Sequence, residues 1–86
     1  MFGTIRGNSK VTMSKIIYTE KYETFLSRLK QARKEKGMTQ VAVASALGKH
    51  QSYIAKCENG ERRVDVIELA EFAHLYEKNL EYFIGG

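Results

Sequence analysis

The residues best suited to binding chemistry lie between Lys49 and Arg63, in the stretch KHQSYIAKCENGERR. If a helix begins near Gln51, then Ile54 and Cys57 would lie on one face, three residues apart, and point into a core. The opposite face would present four residues: Gln51, Ser52, Ala55 and Lys56. Amide, hydroxyl and ammonium groups together on an exposed helix face are typical of a surface that binds nucleic acid.

Each residue of this face has a contact that it could make to a base edge. A Gln side chain can form two hydrogen bonds with adenine, and Lys can donate to O6 and N7 of guanine. Ser can bond to several bases, and the Ala methyl group can touch the methyl group of thymine. Each good contact discriminates between bases by about 1–3 kcal/mol. We therefore expect Gln51, Ser52, Ala55 and Lys56 to read bases.

Catalytic and metal-binding patterns are not evident in the sequence. It contains no nucleophile beside a base, no phosphate-cradling glycine loop and no carboxylate cluster that suggests a site. His50, His74 and Cys57 do not have the spacing of metal ligands. A single Cys cannot form an internal disulfide, and we expect Cys57 to be a core residue, with a redox switch as the alternative. The sequence thus predicts a protein that is not an enzyme and uses no cofactor.

Two short helices joined by a tight turn would position this face. Ala44 is small enough for two helices to pack closely, and Gly48 can adopt the positive φ that a tight turn requires. The apolar positions on the two sides of this turn are Val43, Leu47, Ile54 and Cys57. Such a pattern predicts a helix-turn-helix.

The coupled positions TQ-x-x-V-A-x-x-L-G and Q-S-Y-I-A-K-x-E-N-G-x-R, which begin at Thr39 and Gln51, resemble the Xre/Cro family of phage-repressor-type DNA-binding domains. The resemblance extends over about residues 22–84. It implies an all-α fold, a compact five-helix lambda-repressor-like DNA-binding domain whose helices 2 and 3 form the helix-turn-helix. It also implies a dimer on operator DNA, with helix 2 against the backbone and helix 3 in the major groove.

The resemblance implies roles for three further residues. An arginine at the place of Arg33 forms a largely buried ion pair with the glutamate of the E-N-G turn, here Glu58. The glutamine at the place of Gln40 binds a phosphate and braces the first residues of helix 3. The free N–H groups at the start of helix 2, which Thr39 is expected to cap, also suit a phosphate.

Further phosphate contacts are expected around helix 3. Arg62 and Arg63 follow it directly, and with Lys49 they would neutralise about six phosphates per dimer, which gives a logarithmic salt slope near −5. His50 stands where the family usually has a Ser or Thr cap, so the cap should be weaker, and a protonated ring would tighten binding at lower pH. For Tyr53, packing against helix 2 is the alternative. The expected phosphate-binding residues are Gln40, Lys49, His50, Tyr53, Asn59, Arg62 and Arg63.

The other helices follow from apolar periodicity and capping residues. Helix 1 should run over residues 21–36 and end at Gly37, and helix 4 should begin after Asp65. The expected apolar face of helix 4 comprises Ile67, Leu69, Ala70, Phe72, Ala73 and Tyr76. The last helix should start near Asn79. Glu77 stands where the family often has Gly, so the turn between helices 4 and 5 is expected to differ in shape.

The chain divides into a flexible N-terminal segment (1–20) and a helix-turn-helix domain (21–86). Met13 is a candidate start, and residues 15–19 could form a short strand or an arm, with a loose tail as the alternative. Neither a signal peptide nor a run of about 20 apolar residues is present, which favours a cytoplasmic protein.

The distribution of charge along the chain indicates what kind of molecule the protein binds. The net charge is +4, cations concentrate in residues 28–36 and 49–63, and residues 64–86 are acidic. We expect a regulator that binds specific double-stranded DNA, most simply a repressor, as a homodimer on a palindromic operator. Apolar residues in the C-terminal helices suggest the dimer seam, with a helix 5 that simply seals the core as the alternative. The alternative is an antitoxin or adaptor whose C-terminal helices bind a partner protein.

Overall fold

A computed structural model describes residues 19–85 of the chain. Within these residues it contains no strand and five helices: α1 (Glu20–Glu35), α2 (Gln40–Leu47), α3 (Gln51–Asn59), α4 (Val66–Tyr76) and α5 (Leu80–Ile84). The predicted all-α, five-helix fold is thereby confirmed. The segment expected to be flexible lies outside the described residues except for Thr19 and Glu20. None of these helices is long and apolar enough to cross a membrane.

Short polar side chains start the helices. The Thr39 hydroxyl accepts a hydrogen bond from the Ala42 N–H at 3.0 Å, and the Asn79 side chain accepts one from Tyr82 at 2.9 Å. Asp65 caps α4, and these three caps agree with the sequence predictions. Thr19 caps α1 in the same way, which is why that helix begins one residue earlier than predicted.

Residues in the left-handed backbone conformation end α2 and α4. Gly48 has φ 68° and turns the chain between α2 and α3, as its position predicts. Glu77 has φ 59°, so the turn after α4 keeps the left-handed conformation although a side chain is present. The expectation of a differently shaped turn is therefore not met. An L residue in this conformation costs about 1–2 kcal/mol.

The core contains residues from all five helices. Ile54 and Cys57 are completely buried, as their three-residue spacing predicts. The other buried apolar residues are Phe25, Leu26, Leu29, Ala32, Val43, Ala44, Phe72, Ala73, Tyr76 and Phe83. Their packing holds α2 against α3 and α3 against α1, and it leaves the outer face of α3 in solvent.

The buried face of α4 is narrower than predicted. Phe72, Ala73 and Tyr76 are buried, but Ile67 is 67% exposed and Ala70 is also exposed. At 100° per residue, Ile67 lies far around the helix from Phe72, and the other helices cover only one side of α4. The assignment of Ile67 and Ala70 to the core was wrong.

Helix α5 closes the domain against α1. The Phe83 ring is buried and meets Phe25 edge-on at 6.3 Å between centroids. The Arg28 guanidinium on α1 donates to the carbonyl oxygen of Tyr82. Leu80 and Ile84, on the same short helix, remain exposed.

Candidate nucleic-acid interface

The turn between α2 and α3 brings the predicted base-reading residues to one outer face. The Lys49 N–H donates to the Ala44 carbonyl at 2.8 Å and so closes the turn after Gly48. Beyond it, Gln51, Ser52 and Lys56 are exposed and Ala55 is half-buried. The packing of Ile54 and Cys57 in the core thus leaves three of the four side chains exposed to solvent.

A chain of hydrogen bonds connects this face to the core. The Gln51 Nε2 donates to the Gln40 Oε1 at 2.6 Å, and the Gln40 Nε2 donates to the Glu58 Oε1 at 3.0 Å. Gln40 therefore bridges the starts of α2 and α3, which is the bracing contact that the family resemblance implies.

The chain of hydrogen bonds ends in an ion pair. Arg33 on α1 donates to both carboxylate oxygens of Glu58, from Nε at 2.7 Å and from Nη2 at 3.2 Å. Its Nη1 donates to the Met38 carbonyl at 3.0 Å. The Glu58 side chain is only 2% exposed, and its hydrogen bond raises the pKa of Arg33. The structure thus contains the pair that the family resemblance implies.

These contacts fix the orientation of the Gln51 amide. One N–H of its Nε2 is used by Gln40, so the second N–H and the carbonyl oxygen can bond to another partner. One donor and one acceptor side by side are what the N7 and N6 groups of adenine require.

The starts of α2 and α3 are suited to anions. Neither helix has an acidic residue in its first turn, whereas the other three described helices each have at least one. His50 precedes α3 and makes no side-chain capping bond, as expected for a weak cap. The helix dipoles and free N–H groups therefore stay available to phosphate at both starts.

Tyr53 lies on the side of α3 that faces α4. Its ring stacks on Phe72 with centroids 6.4 Å apart, and the Lys49 ammonium lies 5.1 Å from the Tyr53 centroid. Burial, together with the nearby Cys57 and Glu68, raises the pKa of the Tyr53 hydroxyl. A phosphate would have to compete with these contacts. Burial likewise raises the pKa of the Cys57 thiol, in keeping with a core role.

Arg62 is held by α4. Its Nη1 and Nη2 donate to the two carboxylate oxygens of Glu68 at 2.8 and 2.7 Å, and its guanidinium lies 4.9 Å from the centroid of the Tyr53 ring. The position of Arg62 directly after α3 predicts a phosphate contact, and the pairing with Glu68 is a feature that this prediction lacks. The spacing from Asp65 to Glu68 is a capping-box signature, and it could have indicated a fixed carboxylate there.

The remaining predicted phosphate-binding residues surround α3. The Arg63 guanidinium lies 4.4 Å from the Tyr22 ring centroid, and Asn59 is the exposed last residue of α3. Among residues 19–85, no group of three or more His, Cys, Asp or Glu side chains could hold a metal ion.

Comparisons with known proteins agree with this geometry. A family model described as helix-turn-helix matches residues 29–83. The HTH-type transcriptional regulator PrpR of Mycobacterium tuberculosis is 37% identical over 57 residues, which cover 66% of this chain and 12% of PrpR. A crystal structure of iron(II) HppE with its substrate matches with a TM-score of 0.66 and 28% identity, over 72% of this chain and 36% of that one. This chain thus spans only a small part of either protein.

Proposed function

The chain belongs to the helix-turn-helix family, and from this premise we propose that it is a transcriptional regulator that binds specific sequences in double-stranded DNA. The orientation of Gln51 carries the proposal, because Gln40 holds its amide with one donor and one acceptor open to solvent. PrpR, by its name a transcriptional regulator, supports the same assignment.

In the proposed complex, α3 lies in the major groove. Gln51 and Ser52 in its first turn, with Ala55 and Lys56 one turn later, contact base edges. Lys56 is exposed and can reach a guanine, whereas half-buried Ala55 can offer only its methyl group. Specificity would depend most on Gln51, because its orientation is fixed before binding.

Phosphates flank this contact. The starts of α2 and α3 supply N–H groups, and Gln40, Lys49, His50 and Arg63 supply side chains. Tyr53 and Asn59 complete the set, and Tyr53 is the weaker candidate because its ring packs against Phe72 and the Arg62 guanidinium. These contacts would give affinity and set the position of α3 without reading sequence.

We further propose a cytoplasmic repressor that acts as a homodimer and excludes other proteins from a palindromic operator. Leu80 and Ile84 are 41% and 65% exposed on α5, and their burial against a second copy would form the dimer seam. Half-sites would then lie about one helical turn of DNA apart. Sedimentation tests the seam: Ile84→Lys should give monomers, and Ile67→Lys, an equally exposed position on α4, should not. An unchanged oligomeric state in Ile84→Lys would favour a partner protein at α5.

Binding to DNA itself is tested with a labelled random-sequence duplex and its single strand. The duplex should bind more tightly, and its affinity should fall steeply with salt because cations are displaced from phosphates. Equal binding of the duplex and the single strand, or no binding of the duplex, would contradict the proposed function.

A further inference from the structure

Glu68 joins the start of α4 to the loop that follows α3. Its Oε1 accepts from the Asp65 N–H at 3.0 Å and from the Arg62 Nη1 at 2.8 Å. Its Oε2 accepts from the Arg62 Nη2 at 2.7 Å. The Glu68 side chain is 13% exposed and that of Arg62 is 43% exposed. A largely buried carboxylate thus holds a cation that lies at the protein surface.

The position of this carboxylate is fixed by the helix that it caps. Asp65 and Glu68 form a reciprocal capping box that binds Oε1 of Glu68, and Arg62 binds Oε2, so both carboxylate oxygens have partners. The Arg62 Nη1 also donates to the Arg63 carbonyl at 3.1 Å, and Tyr53 packs against the guanidinium. The hydrogen bond from Arg62 lowers the pKa of Glu68 to about 2, so the pair is ionised at neutral pH.

This pairing changes what Arg62 can offer to DNA. Affinity gained from phosphate contacts comes from cations that replace the counterions of DNA. A guanidinium with both terminal nitrogens bonded to a fixed carboxylate has its charge already compensated. Arg62 would have to leave Glu68 before it could neutralise a phosphate.

We infer that Glu68 limits DNA affinity by holding Arg62 against α4, so that the Arg62 guanidinium neutralises no phosphate while this pair is intact. The inference rests on the proposed function. It lowers the expected number of phosphates neutralised by Lys49, Arg62 and Arg63 from about six to about four per dimer. The expected wild-type salt slope then changes from near −5 to near −3.6.

Glu68→Gln tests this inference, because the amide oxygen can still accept from Asp65 while the charge is lost. The salt slope for a duplex should become more negative by about 0.9 per subunit, or about 1.8 per dimer. The control is Glu71→Gln, which removes the same charge from an exposed position on α4. It should leave the slope close to that of the wild type.

Arg62→Gln completes the experiment. In the wild-type background this substitution should change the salt slope little. In the Glu68→Gln background it should abolish the steeper salt slope that Glu68→Gln produces. An unchanged or shallower salt slope in Glu68→Gln would overturn the inference, as would a steeper slope that persists after Arg62→Gln is added. DNA binding by the wild type would still support the proposed function in either case. Wild-type protein that binds no duplex would overturn both.

Discussion

The Nε2 atom of Gln51 lies 2.6 Å from the Oε1 atom of Gln40 and joins the first residue of α3 to the first residue of α2. Because Gln40 also bonds to Glu58, which Arg33 holds, the contact extends to α1. An exposed amide on α3 is therefore oriented by the protein core before DNA is present.

Gln40→Ala should weaken the base preference of Gln51, although Gln40 itself need not contact a base. Without Gln40 the Gln51 amide rotates freely, and one hydrogen bond is worth about 1 kcal/mol. Competition among duplexes that differ at the position read by Gln51 should show a preference reduced roughly fivefold. Ser45→Ala, an exposed change on the same helix, should leave it unaltered. A preference equal to that of the wild type would show that Gln40 does not orient Gln51.

Loss of Arg33 should destabilise the whole domain. Arg33→Ala leaves the Glu58 carboxylate buried without its ion partner, which costs about 3–5 kcal/mol of unfolding free energy. Urea unfolding measures this cost, and any loss of DNA binding should follow the loss of folded protein. Lys78→Gln breaks the exposed pair of Lys78 with Glu35, 2.8 Å apart, and should cost far less than Arg33→Ala, because water screens the two charges. Similar costs for both variants would refute a structural role for the buried pair.

The left-handed backbone of Glu77 should favour glycine over alanine at this position. Glu77 has φ 59°, a conformation that glycine adopts without a steric penalty. Glu77→Gly should be more stable to thermal unfolding than Glu77→Ala by about 1 kcal/mol, because both lose the 3.1 Å pair with Lys36 and only glycine relieves the backbone. An alanine variant as stable as the glycine variant would mean that this residue is not strained.

The Arg62–Glu68 pair should make the free energy of unfolding depend on pH in the acidic range. The pKa of Glu68 falls from its ordinary 4.5 to about 2 in the folded protein, chiefly because Arg62 bonds to the carboxylate. A depressed folded-state pKa stabilises the fold above about pH 4.5, and this contribution is lost as the pH falls toward 2.

The unfolding free energies of the wild type and Glu68→Gln should therefore converge between pH 5 and 2. Glu71→Gln should follow the wild type over the same range. A constant difference between the wild type and Glu68→Gln would show that the pKa of Glu68 is not depressed.

Local signals in the sequence were enough to predict most of the fold. Capping residues such as Thr39 and Asp65 and the left-handed Gly48 set helix boundaries through contacts within a few residues, and these are readable from the chain. The apolar pattern of α4 was less informative, because its apolar residues extend around more than half the helix. Which of them are buried depends on where the other helices lie, so Ile67 and Ala70 were misplaced.

The family resemblance implied the Arg33–Glu58 pair and the contact of Gln40 with α3, whereas the partner of Arg62 was not predicted. Gln51, Ser52 and Lys56 are exposed as the three-residue spacing of Ile54 and Cys57 requires. The partner of Arg62 could not be inferred from charge, since several carboxylates follow it in the sequence. Only the fold shows that the capping box brings Glu68 to it.

The proposed function requires that α3 reads a specific DNA sequence. Bound duplexes should be selected from a random pool and sequenced, with the Gln51→Ala, Lys56→Ala double variant beside the wild type. We expect an inverted repeat with half-sites about one helical turn apart, and relaxed preference at defined positions in the variant. The absence of any motif, with weak binding that depends only on salt, would contradict the claim and direct attention to a protein partner.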